Sequence, residues 1–485
     1  MQLVCDCLGR KEPELAYFTK YICFYEVDEN NTLLINTLTG AIDIIEINFL
    51  HMERMVRDKR LIKHYINCES YRRLKKRGYI IDSSLEEQHL LETFKQINQQ
   101  ISRNRSLDSF TICPTMGCNL RCAYCFEDHD VHKLFDTMTT QQLNTIFAYI
   151  EENYKNQKKN NKFAPINVFG GEPLLNMNYN LIKMILQFAK KINVPVSIAT
   201  NGTTLNLEYL ELFKMYREHV SLQFTFDGAK GYHDKKRIYS NGNGTFDCIC
   251  KAIEQTLNSG ICVSVRINIH VSSANGIDEL EKTFKKRGWL NNPQFYVYAA
   301  PVRNYEHDSN IIKSIKDSQM LDILFKKGLY RTEKSSFIKR IDSSVCDIVL
   351  NLFKESQFFG RRLNIPYCHA QSGSHLCFAP NGVITTCIRC ASKKEYGVGI
   401  LEKNMITIDT NKLNLWKDRS PFDMKKCQKC KFILLCGGGC PYMALKKYND
   451  INCPVCNDFE ETLKIYIKHM RKNLLKYIPS SIGGV

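Results

Sequence analysis

Three cysteines fall within eight residues in Cys118-Asn119-Leu120-Arg121-Cys122-Ala123-Tyr124-Cys125, separated by three residues and then by two. A structural zinc site takes four protein ligands, and a disulfide framework takes well-separated pairs. Three close thiolates instead suit a cubane iron–sulfur cluster whose fourth iron is left to a ligand from outside the chain. A second stretch, Gly170-Gly171-Glu172-Pro173, joins two glycines, which let a backbone approach a ligand closely, to a carboxylate that can hold an ammonium group. Cysteines crowd again after Tyr367. Cys368 and Cys387 come first, then Cys427, Cys430, Cys436 and Cys440, and last Cys453 and Cys456.

Composition limits what these residues can belong to. A chain of 485 residues is too long for one ordinary core and predicts two or three domains. It carries no apolar run as long as a membrane span. Asp6, Arg10, Lys11 and Glu12 break up the amino terminus, unlike a secretory signal. The expectation is a cytoplasmic protein without a membrane partner, in which 22 cysteines serve metal rather than disulfides. The formal net charge of +17 fits an acidic peptide or an anionic cofactor as well as nucleic acid. The basic runs Arg72–Arg77 and Lys285–Arg287 lack interleaved aromatics and read as solvated helix faces, which argues against nucleic acid.

The elements that must position these residues follow from periodicity. Tyr17–Val27 and Thr32–Leu38 flank Asp28-Glu29-Asn30-Asn31 and predict a hairpin. Ala41–Val56 reads as an amphipathic helix, Glu69–Arg77 as another ending at Gly78, Tyr79–Asp82 as a short strand, and Leu85–Ile101 as helix. A strand edge beside a helix can accept an extended peptide by β-augmentation. From Phe110 onward strands and helices alternate. Strands are expected at Phe110–Cys113, Ile166–Phe169, Val196–Ala199, Val220–Phe226, Val263–His270 and Gln294–Tyr298. Helices are expected at Thr140–Tyr154, Leu181–Lys190, Leu207–Met215 and Phe246–Asn258. Such alternation predicts an α/β fold of parallel strands with functional loops at their carboxyl ends, where both early motifs fall.

The pair of motifs, CxxxCxxC and then GGEP after the next strand, resembles the signature of the radical S-adenosylmethionine (radical SAM) enzymes. That resemblance implies a partial (β/α)6 TIM-like barrel, with a [4Fe–4S] cluster on Cys118, Cys122 and Cys125 and the open iron chelated by SAM. It implies SAM contacts at Tyr124, Gly170, Gly171 and Glu172. Thr225 and Asp227, in Phe224-Thr225-Phe226-Asp227-Gly228, and Arg266 match further SAM-binding positions, with Thr225 where the family usually has Ser. His233, Asp234 and Arg237 match a His-Asp-x-x-Arg pattern read as structural. The implied activity is cleavage of SAM to a 5′-deoxyadenosyl radical that takes hydrogen from a substrate. No catalytic residue is assigned beyond the cluster.

The later cysteines, in the order C-x13-G-x4-C, then C-x2-C-x5-C-x3-C, then C, resemble a SPASM domain with two auxiliary [4Fe–4S] clusters. Paired CxxC units also occur in zinc ribbons, the competing reading. By the resemblance the nearer cluster takes Cys368, Cys387, Cys440 and Cys377. The outer one takes Cys427, Cys430, Cys436 and Cys456, with Cys453 as the runner-up. Without Cys377 the nearer cluster would keep an iron open to a substrate thiolate. Cys113 and Cys390 have no assignment, and Cys23, Cys248 and Cys262 read as inert buried thiols.

The expected organisation is a winged-helix-like α+β module for leader recognition over 1–105 and a radical SAM barrel over 107–303. A helical bridge over 304–365, a SPASM domain over 366–462 and a terminal helix and tail over 463–485 follow. Radical SAM enzymes with SPASM domains commonly modify peptides or proteins. Sulfatase maturases begin close to CxxxCxxC and place Asp after the cysteine matching Cys387, where this chain has Ile388. Maturases of ribosomally made peptides carry an amino-terminal extension like the one here. The resemblance therefore implies a precursor-peptide maturase forming thioether crosslinks, with a reductant such as a flavodoxin or ferredoxin as partner. Oxidation of a sulfatase to formylglycine is the alternative, and an iron–sulfur electron carrier or DNA-binding regulator is the alternative from another class.

Overall fold

The structure, a computed structural model, describes residues 17–58, 61–127, 136–155, 164–303, 314–330, 337–354, 366–477 and 480–482. The first sixteen residues, parts of the 304–365 bridge and the last three residues lie outside them.

In the amino-terminal module β1 (Tyr17–Phe18) pairs antiparallel with β5 (Ile80–Ile81). β2 (Ile22–Glu26), β3 (Thr32–Asn36) and β4 (Ile42–Ile45) form an antiparallel meander. The β2–β3 turn is held by the Asp28 carboxylate, which accepts from the backbone N–H groups of Asn30 and Asn31. The helix expected over Ala41–Val56 is split. Ile42-Asp43-Ile44-Ile45 is β-branched enough to pair with β3, and helix begins only at Phe49, capped by the Asn48 side chain on the N–H of His51. The helices Cys68–Lys76 and Ser84–Arg103 stand close to their expected bounds. A carboxyl-terminal strand, β17 (Ser480–Ile482), runs parallel to β4 and covers that edge, so β2 is the sheet's other edge.

β6 (Ser109–Ile112), β7 (Ile166–Val168), β8 (Val196–Ala199), β9 (Val220–Phe226), β10 (Cys262–Ile269) and β11 (Phe295–Pro301) are parallel neighbours in chain order. These are the six strands the alternation predicts. The sheet then continues on both sides. β12 (Arg340–Ile341) adds in parallel to β11, and β13 (His375–Phe378) adds in parallel to β6. The antiparallel strands β14 (Val383–Thr385), β15 (Gly399–Glu402) and β16 (Met405–Ile408) complete an 11-stranded sheet. The β13–β14 turn holds Asn381-Gly382, a hairpin signal visible in the sequence, and Gly382 has φ +81°.

Helices on the outer face bury one stripe each. In Tyr179–Lys191 the buried side chains are Leu181, Ile182, Ile185, Leu186, Phe188 and Ala189, the i, i+3, i+4, i+7 set of an amphipathic helix. Each large aliphatic buried there contributes about 1.5–3 kcal/mol. Within the bridge a helix spans Asp317–Lys326, and the terminal helix Phe459–Tyr477 packs on it, with His469 Nε2 2.7 Å from Asp322 Oδ1. Among the described residues no helix is long and apolar enough to cross a membrane.

Candidate active site

The cysteine loop leaves β6 and is clamped by backbone on two sides. Arg121 and Ala123 donate N–H to the carbonyls of Ile238 and Lys236, and Gly171 and Glu172 donate to the carbonyls of Thr115 and Gly117. The glycines of GGEP are explained by this contact. A Cβ on Gly170 would stand 2.2 Å from Thr115 O, and one on Gly171 2.2 Å from Gly117 O. Their close approach is therefore to the loop that carries the cysteines, although both also line the adjoining cavity. Glu172 is fully buried. Its Oε1 accepts from Thr200 Oγ1 at 2.6 Å and Leu174 N at 2.9 Å, and its Oε2 from Asn201 N at 2.6 Å. Burial pushes its carboxyl above the usual range against these hydrogen bonds. It ties the β7 loop to the β8 loop, and Oε2 keeps a lone pair for one more donor.

Cys118, Cys122 and Cys125 all line one cavity. Burial pushes Cys118 up to about 12 and raises Cys122 and Cys125 as well. Three thiols on one cavity whose burial outweighs the Arg237 guanidinium beside Cys122 fit a site completed by a bound metal group. Asn201 Nδ2 lies 3.9 Å from Cys118 Sγ and donates to Asn119 Oδ1 at 2.8 Å.

Beside the loop, Tyr124 is a hub. Its hydroxyl donates to Asp227 Oδ1 at 2.8 Å and accepts from Arg237 Nη1 and Asn268 Nδ2, each at 3.0 Å. Asp227 Oδ2 and Arg237 Nε are buried without a hydrogen-bond partner. Such orphaned atoms beside a cavity are what a polar ligand would satisfy. Thr225 and Arg266 face the same cavity, with Arg266 donating Nε–H to Asn268 Oδ1 at 2.9 Å and ion-paired to Asp342. Sequence reasoning left Arg237 as structural and did not find Asn268, Asn201 or Thr200. The His-Asp-x-x-Arg pattern was the available signal for Arg237. His233 itself is structural, its ring tilted against that of Phe226 and bonded to Thr245 Oγ1 at 2.9 Å.

The later cysteines form two groups. Cys368, Cys387 and Cys440 line the cavity. Burial and the Cys387 and Cys440 thiols push Cys368 up to about 12. In the other group, burial with Cys436, Cys430 and Cys456 pushes Cys427 up to about 12. Gly438 and Gly439, both at positive φ, let this loop pack on Val455, whose N–H donates to Gly438 O, and this brings Cys456 to the group. The Cys453 thiol instead donates to Asp450 Oδ2 at 3.5 Å. Between the groups lies Arg419, 2% exposed, donating to the carbonyls of Ile451, Gly437, Gly438 and Cys453. Sequence reasoning missed it. Cys377 has a different neighbour: its Sγ lies 3.6 Å from that of Cys113, both fully buried among Met116 and Ala391. Cys248 and Cys262, expected as buried thiols, are exposed, one on the outer face of its helix and the other at the start of β10; Cys23 is buried. Among the described residues no three His, Cys, Asp or Glu side chains converge as on a single ion. A cubane spreads its ligands over separate irons.

The cavity shared by Cys118, Cys122 and Cys125 with Cys368, Cys387 and Cys440 has a volume of about 2130 Å³ and extends to Thr39, Asp43, Lys76 and Arg77 of the amino-terminal module. One continuous space thus connects that module to both cysteine loops.

Residues 112–286 match the Radical SAM superfamily model, so the chain carries a radical SAM domain and is an enzyme. Over a longer span it is similar to the cysteine-type anaerobic sulfatase-maturating enzyme of Clostridium novyi, 24% identical over 393 residues, 77% of this chain and 96% of the relative. Its fold is similar to that of anSMEcpe with bound AdoMet, with a TM-score of 0.58 and 20% identity over 76% of this chain and 94% of that one. It is also similar in fold to Streptococcus suis SuiB bound to precursor peptide SuiA, with a TM-score of 0.53 and 16% identity over 90% of this chain and 98% of that one.

Proposed function

We propose that this enzyme is a maturase of a ribosomally made precursor peptide, forming thioether links between a cysteine sulfur and a carbon. The observation that carries the reading is the single cavity running from the amino-terminal module to the cysteine loops. An extended peptide held at one end by the module would reach the other end. The 90% coverage against SuiB, solved with its precursor peptide, supports a substrate of that kind.

In this reading Cys118, Cys122 and Cys125 hold a [4Fe–4S] cluster that also binds SAM. Cys368, Cys387 and Cys440 hold a nearer auxiliary cluster, and Cys427, Cys430, Cys436 and Cys456 an outer one in a SPASM domain. When bound, the first cluster and SAM supply a 5′-deoxyadenosyl radical able to take hydrogen from an unactivated carbon. The chain's own residues bind, orient and shield. Gly170, Gly171 and Glu172 would hold the methionyl end of SAM. Thr225 and Arg266, which line the cavity, and the buried Asp227 behind them, whose Oδ2 is an unused acceptor, would meet the polar ribose and carboxylate of SAM. Tyr124 fixes Asp227 and Arg237 in place. Residues 17–105 act as the winged-helix-like recognition module, and a flavodoxin or ferredoxin supplies electrons.

A second reading, oxidation of a sulfatase cysteine or serine, is favoured by the Clostridium novyi relative, 96% of which aligns. Anaerobic incubation of the reconstituted enzyme with SAM, a reductant and a cysteine-bearing precursor encoded nearby separates the two by mass spectrometry. Thioether formation removes two hydrogen atoms from the peptide and protects one cysteine from alkylation. An aldehyde on a sulfatase peptide, with the precursor unchanged, would sink the thioether reading.

A further inference from the structure

Cys390 was left without a role by the motif, and the structure gives it one. Four C-x2-C pairs occur in the sequence, and three of them, Cys122/Cys125, Cys387/Cys390 and Cys427/Cys430, are folded into the same turn. The second cysteine donates its N–H to the carbonyl of the first, at 3.1, 2.9 and 2.9 Å respectively. Two of these pairs supply both sulfurs to one cluster in the reading above. The third has the same turn. The short 3-10 turn Ile388–Cys390 places Cys390, fully buried, one turn beyond Cys387. Cys377, the motif-based choice, is turned to Cys113 instead.

We propose that Cys390, and not Cys377, is the fourth protein ligand of the auxiliary cluster held by Cys368, Cys387 and Cys440. This rests on the auxiliary-cluster reading above and extends it. With four thiolates the cluster has no iron free for a substrate sulfur. The peptide cysteine then reacts without being anchored to it, and the cluster serves electron transfer. Cys113 and Cys377 remain a non-ligating pair of buried thiols.

The test uses the full chain with Cys118, Cys122 and Cys125 replaced by Ala, so that only auxiliary clusters remain, reconstituted anaerobically. Iron and sulfide are counted, and electron paramagnetic resonance of the reduced protein is recorded with and without added imidazole, a small ligand for an open iron. About eight irons per chain are expected, two cubanes of four, with a spectrum unmoved by imidazole. Adding Cys390→Ala opens one iron, so that signal shifts with imidazole or half the iron is lost, while adding Cys377→Ala changes neither. Cys390→Ser, which fills the same space and offers an oxygen ligand, keeps the iron but moves the signal, separating ligation from folding. Imidazole binding before any change at Cys390, or loss on Cys377→Ala alone, overturns the assignment of Cys390. Absence of iron from the parent variant would instead overturn the auxiliary-cluster reading and this proposal with it.

Discussion

The Tyr124 hydroxyl carries one donated and two accepted hydrogen bonds, linking Asp227, Arg237 and Asn268. Tyr124→Phe would leave a buried carboxylate oxygen and two donors short of a partner, a loss of about 2–4 kcal/mol. Chemical unfolding should show that loss, and SAM affinity measured calorimetrically should fall at least several-fold; an unchanged affinity would make the hub purely structural. The buried thiols give a pH signature. Cys118, Cys368 and Cys427 are pushed from 9.0 to about 12, so the folded chain holds their protons more tightly than the unfolded chain does. Their contribution is complete below pH 9 and is lost as pH rises toward 12. The metal-free chain should therefore lose stability over that window, and the reconstituted protein, whose ligand thiols are already deprotonated, should lose less. Equal losses in a pH-resolved unfolding series would argue that these thiols are not ligands. The cysteine spacing and GGEP were legible because they are contiguous. Asn268 and Arg419 were not, and Arg237 was visible only in a pattern read as structural, because their roles arise from strands and turns that meet only in the fold.

At the scale of elements, the β7 loop and the cysteine loop behave as one piece. Gly171→Ala puts a Cβ against the Gly117 carbonyl, and with backbone on both sides the cysteine loop itself must move. Iron per chain after reconstitution should drop by roughly a third, the share of one cubane among three, with the auxiliary signals kept; full iron content would refute the coupling. The β17–β4 pairing suggests a second test. β17 occupies an edge of the amino-terminal sheet with backbone hydrogen bonds, the mode by which an extended peptide would bind there. A chain ended at Tyr477 should bind the precursor several-fold more tightly in fluorescence anisotropy, and weaker binding would mean the strand supports the site. The alternation of strand and helix was readable because each helix has a regular apolar stripe. The Ala41–Val56 segment was misread because its first residues also fit a helical stripe, and the choice between strand and helix was made by pairing with β3. β12 and β13 were missed because two and four residues carry too little periodicity to stand out.

At the scale of the molecule, the 11-stranded sheet carries the first cysteine loop and the hairpin of the later ones on one continuous surface. β13 beside β6 is the join. It places Cys368 and Cys387 on the same cavity as Cys118 and Cys125, which Lys76 and Arg77 also line. A radical made at the first loop would be close to a peptide held along that space and screened from bulk water by the same walls. The central claim is that the first loop cleaves SAM. Chromatography for 5′-deoxyadenosine after anaerobic incubation of the reconstituted enzyme with SAM and dithionite tests it most directly. The wild-type chain should form it, and Cys118→Ala should not. A wild-type chain with its full iron complement that forms none would contradict the account.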